Sequence, residues 1–158
     1  MTQENYNTDM ASSVGTYVHD AEPSVQLRID LATPVTATGN NTAIDFSLKA
    51  AGQAMANITV SASDAGDTDE TYQLVLQADA KGGFSGNEIT IGALDIPRGY
   101  TGSLGIPFYG PGIVRLLKAA GIIADDNEDT AIRMRHVIGG TTPSMNYVAQ
   151  IGPVIGGL

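Results

Sequence analysis

The chain has 158 residues, enough to bury a core without metals or crosslinks, and it has no cysteine, which removes disulfides and thiol chemistry. With 17 acidic residues against 8 basic ones its formal charge is −9, a balance that repels a phosphate backbone and argues against nucleic acid as a partner. Only 16% of residues are charged and 19 are glycine, a composition that favours sheets and turns over long solvated helices.

Residues 1–22 form a separate segment. It holds Glu4, Asp9, Asp20 and Glu22, no Lys or Arg, and scattered apolar residues Tyr6, Met10, Val14, Tyr17 and Val18. Such a composition cannot build a core alone, so it reads as a polar, acidic N-terminal arm closed by Pro23. Two readings are open to it: a disordered terminus, or an arm that orders on a neighbouring subunit with Tyr6 and Tyr17 as its anchors. The first residues show neither a basic flank nor an apolar run, so no signal peptide is expected. The apolar stretch 113–123 is too short for a membrane span and is broken by Arg115 and Lys118.

Alternation begins at Val25, where Val25, Leu27, Ile29 and Leu31 oppose Gln26, Arg28 and Asp30, as in a half-buried strand. Pro34 and Gly39-Asn40-Asn41 mark a turn. A second strand is predicted through Ile44, Phe46 and Leu48, and a third through Ile58 and Val60. Asp64–Glu70 is a polar loop. Tyr72–Asp79 is the clearest strand, and its unbroken Leu74-Val75-Leu76 predicts cover on both faces. Gly82-Gly83 and Gly86-Asn87 bracket Phe84 as a hairpin turn, after which Ile89 and Ile91 resume the alternation.

Leu104, Ile106 and Phe108 alternate around Pro107, which points to an edge strand or a strand end. Ile113, Val114, Leu116, Leu117 and Ala120 recur at helical spacing before Gly121, giving one short helix near 113–120; a buried strand fits the same residues. After the acidic loop Asp125–Asp129, two alternating runs at 132–138 and 145–151 read as a hairpin pair around Gly139–Pro143.

About eight strands, with turns every ~8–12 residues and loops of unequal length, predict an all-β jelly-roll or Greek-key β-sandwich. The domain is expected over residues 23–153, with 154–158 as a short C-terminal tail.

Chemistry-bearing residues are sparse. The chain has two histidines, His19 in the arm and His136 in phase with the core residues of its strand, too few for a metal-holding barrel of the cupin kind. No Gly-x-Ser-x-Gly and no phosphate-loop ending occurs. The sequence therefore reads as a non-enzyme without cofactor. Asp64, Asp67, Asp69 and Glu70, and Asp125, Asp126, Glu128 and Asp129, are candidate calcium ligands, but neither loop has EF-hand spacing. Arg133 and Arg135 lie two apart on one strand and should share a face. Cross-strand pairing with carboxylates and contact with an acidic partner are both open to them.

From Tyr72 to Pro153 the chain resembles the small jelly-roll cement, or decoration, proteins of tailed-phage capsids. The ordered pattern is Tyr72–Asp79, a Phe-containing turn at Gly82–Ser85, the strand Glu88–Ile91, Gly102–Pro107, and Ile132–Ile138 leading through Gly139–Ser144 into Tyr147-Val148-Ala149. Pro34–Thr38 is similar to these proteins' early turn and strand. The arm before Pro23 and the segment Gly110–Asp129 depart from the pattern.

The resemblance implies a structural virion protein on the outer capsid surface, assembled in the host cytoplasm. It would be a homo-oligomer, a dimer or trimer, that bridges major capsid protein subunits and touches neither nucleic acid nor membrane. Tyr6, Tyr17, Arg133 and Arg135 are the candidate partner-binding residues. The alternative is a calcium- or glycan-binding sandwich on a tail or surface appendage.

Overall fold

The computed structural model describes residues 26–28 and 33–152. Among the described residues nine strands form two antiparallel sheets. β1 (Gln26–Arg28), β4 (Gln53–Ser63), β7 (Gly102–Tyr109) and β9 (Met145–Gly152) make one sheet in the order β1-β9-β4-β7. β2 (Gly39–Asn40), β3 (Ile44–Asp45), β5 (Thr71–Ala80), β6 (Ile89–Ile96) and β8 (Thr130–Gly139) make the other, in the order β2-β8-β5-β6 with β3 also on β8.

β2 and β3 pair with successive stretches of β8, Gly39 opposite His136 and Ile44 opposite Ile132, so together they occupy one strand position. The pairs β1–β9, β2/β3–β8, β4–β7 and β5–β6 then nest inside one another along the chain. That is a long hairpin rolled into two sheets, the jelly-roll topology.

The core fills the space between the sheets. Leu74 and Leu76 on β5 and Ile132 and Met134 on β8 face Ile58 and Val60 on β4 and Met145 and Tyr147 on β9, all fully buried or nearly so. β5 is covered on both faces, as its apolar run predicts: Val75, Gln77 and Asp79 on the outer side are buried too. Part of that cover is the β5–β6 turn. Asp79 accepts the backbone N–H groups of Ala80 and Phe84, which folds the turn back over the sheet.

Two expectations fail. The second strand stops at Asp45 and does not reach Leu48. Ser47 instead caps a one-turn helix, α1 (Leu48–Ala51), by accepting from the Ala50 N–H, and Gly52 at φ 59° ends it. A serine followed by helix-forming Lys-Ala-Ala and a glycine outweighs the short apolar alternation. β8 and β9 are also not a hairpin. They lie in different sheets, and residues 140–144 cross from one to the other. A nested roll requires this, because each of these two strands already pairs with partners from the first half of the chain. The crossing is tight: Gly140 has φ 112°, and a Cβ there would lie 2.7 Å from the Glu70 Cα.

The predicted helix exists as α2 (Gly110–Ala119) and the strand alternative falls. Gly121 at φ 74° donates to the Lys118 carbonyl, and Ile122 donates to that of Leu117. This is a Schellman ending, completed by packing of the partly buried Ile122 against the core that holds Leu117. Gly110 presses against α1: a Cβ there would lie 1.9 Å from the Leu48 carbonyl oxygen. β7 is an edge strand, as Pro107 predicts.

Candidate docking surface

β4, β7 and β9 contain no charged residue at all, in a chain whose formal charge is −9. Their inward positions are the core residues above. Their outward positions carry Thr59, Ser61, Ser103, Pro107, Val148 and Gln150, all neutral side chains. Met55 lies flat over the edge-strand glycine: a Cβ on Gly105 would sit 2.4 Å from the Met55 Sδ. The result is a neutral face. Three strands about 4.8 Å apart, paired over about eight residues, give it about 380 Å².

One charge borders this face. Arg28 on β1 lines a shallow recess of about 330 Å³ with Asn57, Thr59, Val148, Ala149 and Gln150. Its Nε donates to the Tyr147 carbonyl (2.9 Å), its Nη2 to the Thr33 carbonyl (2.7 Å), and its guanidinium stands 4.9 Å from the Tyr147 ring centre. The cation is therefore fixed in place.

The opposite sheet face is charged. Arg133 and Arg135 emerge on it together, as their spacing predicts. Arg133 is spent within the fold. It donates to Gln77 Oε1 (2.8 Å), pairs with Glu88 (2.9 Å) and stacks 4.5 Å from the Phe84 ring centre, with only 11% of its side chain exposed. Phe84 holds φ 67°, an uncommon conformation for a bulky residue, kept by the Asp79 bond to its N–H and by Arg133 over its ring. Arg135 reaches Asn40 Oδ1 (3.2 Å). Tyr6 and Tyr17 lie outside the described residues.

Buried polar groups hold the two sheets together. Asn41 Nδ2 donates to the Tyr147 hydroxyl (2.7 Å), which leaves that hydroxyl's proton to point at His136 Nδ1 (3.2 Å). His136 lies on β8 and Tyr147 on β9, so this bond crosses the sandwich. Burial pushes the Tyr147 pKa up to about 12. Burial, then repulsion from Arg28 and Arg135, holds His136 below its ordinary value, so at neutral pH it is an uncharged hydrogen-bond acceptor.

The acidic loops are tied to their own surroundings. Asp64 Oδ1 accepts from the Gly66 N–H (2.9 Å), and Asp67 and Asp69 accept from the hydroxyls of Thr142 and Thr141 (2.7 Å each). In the second loop Asp125 takes the Asn127 N–H, Glu128 takes the Ala124 N–H, and Asp126 pairs with Lys118 at 3.4 Å. A cleft of about 320 Å³ beside that loop is bordered by Lys81, which pairs with Asp45 at 3.0 Å, and by Lys49, bonded to Asn127 at 2.7 Å. Among the described residues no three His, Asp or Glu side chains converge as metal ligands.

The neutral face was readable in the sequence as three strands without a charge. The motif patterns draw attention instead to Arg133 and Arg135, which stand out by charge.

No family model matches the chain, and no curated protein matches it. A solved structure of infectious bursal disease virus, Gx strain, is similar over 85% of this chain at 10% sequence identity, with a TM-score of 0.46. The chain spans 33% of the length of that solved chain. The jelly-roll assignment rests on the strand order itself.

Proposed function

We propose that this jelly roll is a structural protein that binds the outer surface of a tailed-phage capsid and bridges neighbouring major capsid protein subunits. The observation that carries the reading is the neutral face of β4, β7 and β9 on a strongly acidic molecule. A net negative charge keeps free copies apart. A face without charges docks without stripping water from ions, which is the costly part of burying a polar surface. The sequence pattern from Tyr72 to Pro153 points to the decoration proteins in particular.

The area sets the mode of attachment. About 380 Å² is less than the ~800 Å² per partner of a standard stable complex. One face would therefore hold weakly, and a second contact by the same molecule or its oligomer would supply the rest through avidity. That suits a protein laid across subunit boundaries on a repeating lattice.

The test is co-sedimentation with phage heads. Thr59→Glu and Val148→Glu place a charge on the neutral face, and Thr90→Glu places one on the opposite sheet. Loss of head binding in the first two with retention in the third supports the reading. Loss only in the third, or in none, refutes the assignment of the face. The calcium-binding form of the alternative finds no support in the acidic loops, where no three carboxylates converge among the described residues.

A further inference from the structure

We infer that the corner between β7 and α2 is a docking site for the N-terminal segment of the same chain. Tyr109 and Leu116 are the large apolar side chains most exposed among the described residues, at 51% and 54%. They belong together. Tyr109 is the N-cap of α2 and its ring lies beside Gly112, where a Cβ would come 3.4 Å from Cδ2. Gly112, Arg115, Leu116 and Ala119 fall on one side of α2, while Ile113, Val114 and Leu117 occupy the buried side. The outer stripe is thus apolar with one cation, and Arg115 has no ion-pair partner among the described residues. α2 carries no acidic residue.

The segment before Gln26 is complementary in both respects. Residues 1–22 hold four acids and no Lys or Arg, with Tyr6, Met10, Val14, Tyr17 and Val18 between them. Position agrees as well. β1 runs antiparallel to β9 with Gln26 opposite Gln150, so the chain enters β1 from the end of the sheet that holds Gly152, Gln53 and Tyr109. β1 and β7 are the two edges of that sheet, three strand spacings or about 14 Å apart. Tyr17 lies nine positions ahead of Gln26, a reach of about 30 Å when extended, so it spans the distance with slack. A short tether gives the segment a high effective concentration at its own corner. This docking does not depend on what surface the neutral face binds.

Paramagnetic broadening tests it in the full chain. With no native cysteine, Ser12→Cys gives a single attachment point for a nitroxide. The amide signals of Gly112, Leu116 and Ala119 should lose intensity, while those of Gly39 and Asn40, on the other sheet, keep theirs. Arg115→Glu with Leu116→Ser, both exposed positions, should abolish the loss and leave the rest of the spectrum in place. Nitroxide-bearing protein without isotope mixed with isotope-labelled protein without nitroxide should show no broadening. Broadening in the mixture would make a second copy's segment the occupant and overturn the intramolecular assignment. Absence of selective broadening would overturn the site.

Discussion

Replacing Tyr147 with Phe removes one oxygen from the sheet-to-sheet bridge and leaves the ring in place. Tyr147 is fully buried, its hydroxyl accepts from Asn41 at 2.7 Å, and His136 Nδ1 lies 3.2 Å away and is itself only 7% exposed. The Asn41 bond is part-buried and worth about 1 kcal/mol net. Leaving the buried His136 nitrogen without its donor costs about another 1–2 kcal/mol. The sum, about 2–3 kcal/mol, corresponds to a fall in Tm of about 6–9 °C for a domain of this size. The assay is thermal unfolding at about pH 7.5, where His136 is neutral in both states. Asn41→Ala in the Tyr147→Phe background should add less than it does alone, because the two groups share one bond. A Tm change below about 1 °C, or full additivity, would refute the bridge as a stabilising element.

The same site makes stability depend on acid. His136 is depressed in the folded chain, so its contribution is complete above the unfolded value of about 6.5 and declines as pH falls toward the native value. His136→Gln should flatten that decline, measured as Tm against pH. Glu70 works in the opposite direction. It is 4% exposed, neither carboxylate oxygen has a hydrogen-bond partner, and burial followed by repulsion from Asp64 and Asp67 raises its pKa. Its native form favours the proton, so stability falls as pH rises from the unfolded value of about 4.3 through the native one. Glu70→Gln should raise Tm at neutral pH and have little effect in acid; equal effects at both would contradict the assignment. Gly110→Ala should cost about 3 kcal/mol or more in denaturant unfolding, because its Cβ would meet the Leu48 carbonyl oxygen at 1.9 Å and the two helices must part.

Most of the strands were legible because the sandwich buries one face of each. The alternation at 132–138 and 145–151 matches the burial of β8 and β9 residue by residue. Pro107 marked an edge, and Gly121 marked the end of α2, because each residue has one backbone property that only such places accept. Pairing was less legible. Two neighbouring alternating runs look alike whether they form a hairpin or cross between sheets, and in a jelly roll the answer is fixed by strands a hundred residues upstream. Leu48 misled for a related reason, since three alternating apolar residues at 44–48 weigh less than a serine cap and a glycine stop. Whether Arg133 pairs within the fold or meets a partner stayed open in the sequence because the turn that carries Phe84 and Glu88 over it is not visible in local pattern.

On the proposed function, the neutral sheet face meets a capsid lattice. Electron cryo-microscopy of phage heads incubated with the protein, the native phage's own capsid included, tests it directly. Ordered density is expected at symmetry-related positions outside the shell, with β4, β7 and β9 turned toward the capsid subunits. Bare heads beside free protein would contradict the capsid role, and bound protein with the Arg133 face inward would contradict the docking surface.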